Sequence, residues 1–149
     1  MRELIFALTF TGRAGPVPGS ETTRRAMTVA PSQVIRTVLG PGGVESAVET
    51  IDGERAVLES RVERFADGSF VEDGTISYGR AGKVSFVTVG RGSVGPSPIP
   101  GWVHGAVIWS VTGGDGLFEG AQGLITSNFV ASAGGDVVDN HFTRLYVPA

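Results

Sequence analysis

The chain has 149 residues, 12 lysines and arginines against 15 aspartates and glutamates, a net charge of -3, and no cysteine. A single domain of this length, which we assign to residues 1–149, buries a core without covalent cross-links, and the absent cysteines exclude disulfides, thiolate nucleophiles and thiolate metal sites. Basic residues cluster only at Arg24-Arg25, which argues against nucleic-acid binding. Two histidines cannot form a three-histidine zinc site, and we predict no metal.

The first apolar run, residues 4–10, predicts a strand. It is short, it contains Thr9, it follows Glu3, and no small-residue cleavage site comes after it, so it differs from a signal sequence. No later segment approaches ~18 uninterrupted apolar residues, so no membrane contact is expected. A cytoplasmic location is the default expectation.

Short β-like runs come next in order, separated by glycine and proline. Residues 12–20 form a Pro/Gly-rich connection, and residues 26–30 form a brief second run. Residues 31–39 begin with Pro31, which permits one helical turn, but their β-branched residues favour a strand. The sequence Gly-Pro-Gly-Gly at 40–43 then breaks the chain.

Hairpin signals dominate the middle of the chain. Asp52-Gly53 predicts a two-residue hairpin between 44–51 and 55–65, and Asp67-Gly68 repeats the signal. Glycines at 79 and 82 separate another pair of runs, 75–78 and 83–89. With runs at 102–111, 124–131 and 137–147, the chain contains about eight to ten predicted strands and no amphipathic helix. Closing such a meander removes its edges, so an all-β antiparallel barrel is favoured over a sandwich.

One motif resembles a cofactor loop but occurs in the wrong context. Residues 90–95 have the spacing G-x-G-x-x-G after a predicted strand. Prolines at 96, 98 and 100 prevent the helix whose N-terminus would hold a dinucleotide pyrophosphate. We therefore predict no dinucleotide cofactor. The proline-rich segment 94–101 either caps one mouth of the barrel or only connects two strands.

The late strands contain the candidate polar residues. His104 lies beside small neighbours, so it either projects into a cavity or lies on the surface. On the last strand, we expect Phe142 and Tyr146 to point inward, and Asn140 shares their parity. An apolar lumen is expected from the aromatic and aliphatic residues of several strands, which suits a hydrophobic small molecule.

The segment 112–123, which we call the glycine corner, reads TGGDGLFEGAQG and joins two predicted strands. Its glycines predict left-handed or sharply turned backbone. The order T-G-G-x-G-x-F-x-G-A-x-G resembles the signature of the allene oxide cyclase and dirigent β-barrels. Glu3-Leu4, a strand and then Arg13-Ala14-Gly15-Pro16 are similar to the start of plant allene oxide cyclases. Between these two segments the chain holds an extra hairpin.

This resemblance implies an allene oxide cyclase-like (calycin-like) barrel that confines a reactive hydrophobic intermediate without a cofactor. The first-strand Glu and Asn of the plant cyclases correspond here to Leu8 and Phe10. The resemblance therefore does not imply the plant reaction for this chain, but it still implies that the barrel confines and orients a reactive intermediate. We therefore expect a cofactor-free cyclase or isomerase for a polyketide- or terpenoid-like intermediate. A non-catalytic, dirigent-like binding barrel and a purely structural oligomer-forming domain are the alternatives.

The expected site combines polar and apolar residues. His104 is assigned proton transfer, and Tyr78 and Asn140 are assigned hydrogen bonding to a carbonyl oxygen that gains charge. The substrate is expected to contact Trp102, Trp109, Leu8 and Phe10. Apolar residues at both parities of several strands predict a homo-oligomer.

Overall fold

A computed structural model describes all 149 residues and consists of β-strands joined by turns. It contains no α-helix, and therefore no helix that could cross a membrane. Two single 3₁₀ turns lie at Gly79–Ala81 and Gly116–Phe118. The eleven strands are β1 (Arg2–Pro16), β2 (Thr23–Ala30), β3 (Gln33–Gly40), β4 (Gly43–Thr50), β5 (Ala56–Arg64), β6 (Ser69–Tyr78), β7 (Lys83–Thr88), β8 (Gly92–Pro96), β9 (Trp102–Gly114), β10 (Gln122–Ser132) and β11 (Asp136–Val147).

Eight of these strands close an antiparallel barrel, in the order β1, β2, β5, β6, β7, β9, β10, β11 and back to β1. The short strand β8 pairs with β9 and with the start of β6, so β7 and β8 occupy the same position in the wall, end to end. The prediction of an all-β antiparallel barrel is confirmed. Closure leaves no exposed strand edge around most of the wall.

Side chains alternate between the interior and the outer surface along each strand. On β5, Ala56, Leu58 and Ser60 are buried, as the sequence alternation predicts. The apolar core fills one end of the barrel, which we call the closed end, with Phe10, Phe86, Trp109 and Phe118 among its buried residues. The stacked rings of Phe86 and Trp109, 4.3 Å apart, form its centre.

The glycine corner seals the closed end. Phe118 is 3% exposed and packs beside Tyr78, whereas its neighbour Leu117 stays exposed. Gly116 has φ 58°, a left-handed conformation that a β-branched residue tolerates poorly. Gly114 lies outside that region, and close packing explains it instead, because a Cβ there would lie 2.6 Å from the Lys83 carbonyl oxygen.

The hairpin predicted at Asp52-Gly53 is wrong. β4 pairs with β3 and not with β5, and the glycines at 40–43 form the tip of this hairpin rather than a break. β5 pairs instead with β2 and β6. We call the β3–β4 hairpin the arm, because it leaves the barrel between two neighbouring wall strands. Gln33 fixes its base by accepting a hydrogen bond from Thr9 N (2.7 Å).

The parity predicted for β11 is also wrong. His141, Thr143, Leu145 and Val147 point inward and are buried, whereas Phe142 is 54% exposed. Tyr146 and Asn140 lie on the outer wall with Phe142. The arm leans over this wall and leaves a cleft of about 860 Å³ that Phe142 helps to line. The exposed Phe142 on the outer face of β11 therefore faces the arm, a contact that cannot be read from the β11 sequence alone.

Candidate acid-base site

The end of the barrel opposite the glycine corner, which we call the open end, encloses a cavity of about 560 Å³. This volume is in the usual range for small-molecule sites, roughly 300–1,000 Å³. Its walls are apolar, and its floor carries two carboxyl groups, Glu72 and Asp139. The wall residues include Val62, Phe70, Val94, Trp102, Phe129 and Val137. Val94, Pro96 and Gly101 line the mouth, so the proline-rich segment borders the opening, as one of its two predicted roles requires.

Glu72 projects inward from β6, at the same parity as the buried Phe70 and Ile76. Ser60 Oγ donates a hydrogen bond of 2.5 Å to its Oε2. Thr88 Oγ1 accepts a hydrogen bond from Glu72 N and donates one to Glu72 O, each 2.7 Å, which fixes the backbone where β7 ends. Burial, and to a smaller extent the charge of Asp139, raises the pKa of Glu72 to about 8. Glu72 is therefore protonated at neutral pH.

Asp139 projects inward from β11 and is 7% exposed. Ser127 Oγ donates a hydrogen bond of 2.6 Å to Oδ1, and His141 Nε2 lies 2.9 Å from Oδ2. The His141 ring is held between Phe10, at 4.2 Å between ring centroids, and Trp109, at 5.0 Å. Both Asp139 oxygens thus have a polar partner on a rigid strand.

The connectivity of these groups excludes one familiar reaction class. Serine, aspartate and histidine occur together, but the carboxylate stands in the middle and the serine hydroxyl donates to it. A hydrolytic triad needs the imidazole between serine and carboxylate, so that it can take the serine proton. Ser127 therefore positions Asp139 and is not an activated nucleophile.

The two carboxyl groups are instead suited to proton transfer. Glu72 is an acid that keeps its proton at neutral pH, and Asp139 is a hydrogen-bonded acceptor in the same cavity, whose walls are apolar. A proton donor and a proton acceptor within reach of one ligand can supply the acid and the base of a reaction. No set of three or more histidine, aspartate or glutamate side chains is spaced to hold a metal ion.

Only one of the residues expected to form the site reaches this cavity. Trp102 lines its mouth. Leu8, Phe10 and Trp109 point inward but pack in the apolar core, so they support the floor rather than contact a ligand in the cavity. Tyr78 also packs at the closed end, between Phe6 and Phe118. Burial raises the pKa of its phenol above the usual range, with a small opposing effect from Thr143.

The other two polar residues lie outside the barrel: the inward placement expected for Asn140 is wrong, and His104 takes the surface position, one of its two predicted placements. His104 is exposed on β9, at the opposite parity from Val107 and Trp109. Asn140 is exposed on the outer wall, where its Oδ1 accepts a hydrogen bond of 2.7 Å from Thr9. Neither side chain lines the cavity.

Four polar residues at the floor of the cavity were not predicted from the sequence: Glu72, Asp139, Ser127 and His141. A signal for Glu72 exists, since it alternates with Phe70 and Ile76 on a strand whose other face is Val71, Asp73 and Thr75. A charged residue at an apolar parity indicates an interior carboxyl group. For Asp139 and His141, the corresponding signal is their parity with Leu145 and Val147.

Comparisons of the chain with family models, curated proteins and solved structures give no match. The resemblance of the glycine corner to allene oxide cyclases and dirigent proteins therefore stays a prediction. The function of the protein has to be inferred from the geometry of the cavity.

Proposed function

We propose that the protein is a cofactor-free cyclase or isomerase that uses Glu72 as the acid and Asp139 as the base on a hydrophobic, polyketide- or terpenoid-like intermediate. One observation carries this proposal: a carboxyl group that stays protonated at neutral pH shares the floor of one apolar cavity with a hydrogen-bonded carboxylate. Acid and base on one floor permit a rearrangement without a redox change.

The chemistry balances with these two groups alone. Asp139 removes a proton from a carbon next to a carbonyl group, while Glu72 donates its proton to the carbonyl oxygen, which gives an enol. The enol then takes the proton from Asp139 at a different carbon, or its carbon attacks a second carbonyl group, whose oxygen takes the proton from Asp139 as the ring closes. Glu72 recovers its proton as the carbonyl group forms again. The aromatic walls hold a flexible chain in a reactive conformation.

A binding barrel without catalysis is the second candidate. The observation that favours it is the wall itself, because Phe70, Phe129 and Trp102 offer large rigid surfaces to a ligand near the mouth. In this function the two carboxyl groups only orient the ligand by hydrogen bonds.

Isomerisation of cyclohex-3-en-1-one to the conjugated enone separates the two candidates, because it requires proton removal and return and the product absorbs in the ultraviolet. We expect the protein to accelerate it and Asp139→Asn to lower the rate by about 10²-fold or more. Glu72→Gln keeps a hydrogen-bond donor but no transferable proton, so a smaller loss is expected. Glu59→Gln, on the outer surface of β5, is the control and should change nothing.

Two results contradict catalysis. If the ketone binds, as measured by calorimetry, but its rate of isomerisation equals that in buffer, the barrel only binds. If Asp139→Asn retains the full rate, the base is wrongly assigned. The rate should also fall as the pH rises through about 8, because Glu72 then loses its proton.

We also propose that the chain forms a homo-oligomer through the arm. The arm exposes six large apolar residues: Val34, Ile35, Val38, Leu39, Val44 and Val48. An isolated two-stranded hairpin is marginally stable in water, so a covering surface is required. The outer barrel wall offers one, since Ile5, Ile108, Leu124 and Phe142 are exposed on it. Both complementary surfaces belong to this chain, so the partner is a second copy.

Light scattering tests this assembly. We expect a mass above that of the 15.5 kDa monomer, and a monomer for Leu39→Asp combined with Val44→Asp at the arm tip. Circular dichroism of the variant should be unchanged, because the barrel does not include these residues. A monomeric wild-type protein at working concentration would contradict the proposal.

A further inference from the structure

Two arginines stand at the mouth of the cavity. Arg24 lies on β2 and Arg64 on β5, and both line the opening. In the β2–β5 ladder Arg24 pairs with Val62, and Arg64 N donates a hydrogen bond of 2.9 Å to Thr22 O. The two side chains are thus diagonal neighbours on the inward face of adjacent strands, within interaction distance.

Neither arginine has an acidic partner. Most other arginines do, as in the pairs Arg13–Asp136, Arg36–Glu49 and Arg80–Glu54. The charged head groups of Arg24 and Arg64 make no hydrogen bond to any protein group. The nearest acidic residue in the sequence, Glu63, points to the outer surface, where its carboxylate accepts hydrogen bonds from Thr22 and Thr23. The mouth therefore holds two positive charges with no protein anion to balance them.

Arg24 is also unusual in its burial. It is the only lysine or arginine of the chain that is not exposed. Burial first, and the charge of Arg64 second, lower the pKa of Arg24 below its ordinary value. Both effects oppose the folded state, so this pair does not stabilise the free protein. Unpaired arginines at the mouth of an apolar pocket are the arrangement that recognises a carboxylate or phosphate.

We propose that the ligand is an amphipathic acid whose anionic head group binds Arg24 and Arg64 at the mouth, while its apolar body fills the cavity toward Glu72 and Asp139. This inference rests on the proposed function for the location of the ligand, but not for its chemistry. It adds a substrate class: a hydrophobic molecule with a carboxylate or phosphate at one end and a neutral reactive group at the other.

The polarity of the cavity fixes the direction in which such a ligand enters. The mouth is cationic, the walls are apolar, and the floor carries Asp139. An anionic head at the floor would face a carboxylate in a low-dielectric site, which is unfavourable, whereas at the mouth it neutralises two like charges. The reactive group therefore lies several carbons from the head group, beside the two floor carboxyls.

Binding of ten-carbon probes tests this head-group site, with each probe kept below its micellar concentration. Decanoate, decyl phosphate and decan-1-ol are titrated by calorimetry, with quenching of Trp102 fluorescence as a second readout. We expect at least one of the two anions to bind about tenfold or more tightly than the alcohol, and higher salt to reduce this preference. The stronger of the two anions identifies the head group as a carboxylate or a phosphate.

Matched variants locate the effect. Arg24→Gln and Arg64→Gln should each remove most of the preference for the anion and leave binding of the alcohol unchanged. Arg25→Gln is the control, because Arg25 is the adjacent arginine on β2 and is exposed on the outer surface. It should retain the full preference.

Several outcomes would overturn the inference: equal binding of acid and alcohol, binding of neither, or an equal effect of Arg25→Gln. These outcomes differ from a failure of the proposed function. If Asp139→Asn retains full turnover while decanoate still prefers the wild-type mouth, the catalytic assignment fails and the head-group site stands. If the alcohol binds as well as the acid and Asp139→Asn abolishes turnover, the head-group site fails and the catalytic assignment stands.

Discussion

The two ends of the barrel are formed by the same strands but have opposite interiors. Toward the closed end, β9 contributes Trp109 and Val111, β1 contributes Phe10, and the glycine corner adds Phe118. Toward the open end the same strand β1 contributes the small Ala14, and β10 contributes Ala131. Strand number fixes the diameter of the barrel, so the size of the inward side chains decides whether a level is filled or empty.

Between the two ends lies a level of buried polar groups. Ser60, Glu72, Ser127, Asp139 and His141 form two hydrogen-bonded sets there. These groups lie against the apolar core on the side of the closed end, and Glu72, Ser127 and Asp139 line the cavity on the side of the open end. A carboxyl group in this position has a raised pKa and still lines the cavity. The contrast between the ends is therefore the structural basis of the proposed chemistry, and four changes test it.

The largest expected effect is on the stability of the closed end. Trp109→Ala should lower the free energy of unfolding by about 3–5 kcal/mol, because it leaves a cavity beside Phe86 and His141. Trp102→Ala, at the mouth, should cost about 1 kcal/mol or less. Urea denaturation measures both. Equal losses would mean that the two ends do not differ in packing.

The second effect depends on pH and concerns the polar level. Glu72 has a pKa of about 8 in the folded protein, above the ordinary value of 4.5. Below about pH 4.5 both states hold the proton. As the pH rises toward 8, only the unfolded state releases it, so stability declines and levels off above 8.

Glu72→Gln removes this decline. The variant should match the wild type near pH 4 and exceed it at pH 8.5 by an amount on the order of a few kcal/mol. Thermal denaturation across this pH range measures the difference. A variant that is less stable than the wild type at pH 8.5 would show that Glu72 is not held protonated by burial.

The third effect concerns the seal of the closed end. Gly116→Val should cost about 1–3 kcal/mol from its left-handed backbone alone, and its Cβ would also lie 2.5 Å from the Ala81 carbonyl oxygen. Gly15→Val is the control, because Gly15 has ordinary strand geometry and no atom within 4 Å of an added Cβ. Equal melting temperatures for these two variants would contradict the assigned turn.

The smallest effect is expected outside the barrel. His104→Ala and Asn140→Ala should each change stability by about 0.5 kcal/mol or less, and leave isomerisation of the enone unchanged, because neither residue reaches the cavity. A loss of turnover in either variant would mean that the outer wall takes part in the reaction.

The barrel could be predicted because its signals are local. Turn glycines and the alternation on β5 depend on neighbouring residues, and they indicated strands and hairpins correctly at Asp67-Gly68. The partner of each strand is not local. Asp52-Gly53 has the composition of a hairpin turn, yet β5 is more favourably paired with β2 and β6 inside the wall. The strand pairing of the whole barrel therefore overrides the local tendency of Asp52-Gly53 to form a hairpin turn.

The site was harder to predict because inward and outward faces are assigned by hydrophobicity. Phe142 and Tyr146 are larger and more apolar than His141 and Thr143, so they appeared to be the core face of β11. The outer face of β11 also carries large apolar side chains, and Phe142 among them faces the arm. Hydrophobicity therefore does not distinguish the inner face of this strand from its outer face. Tyr78 and Trp109 point inward but lie too deep to line the cavity, because depth along the barrel axis depends on strand stagger, which no single strand reveals.

The pairing of β1 with β11 has a consequence for how the protein reaches its native state. Twelve residue pairs join these strands, from Arg2 with Val147 to Arg13 with Asp136. Contacts between segments so distant in sequence have a large loop-closure entropy, and proteins dominated by them fold in milliseconds to seconds rather than microseconds. Asp139 and His141 lie within this ladder, opposite Phe10 and Leu8. The step that pairs β1 with β11 therefore also places Phe10 against His141, and a partly folded chain lacks this support beneath the proposed proton-transfer site.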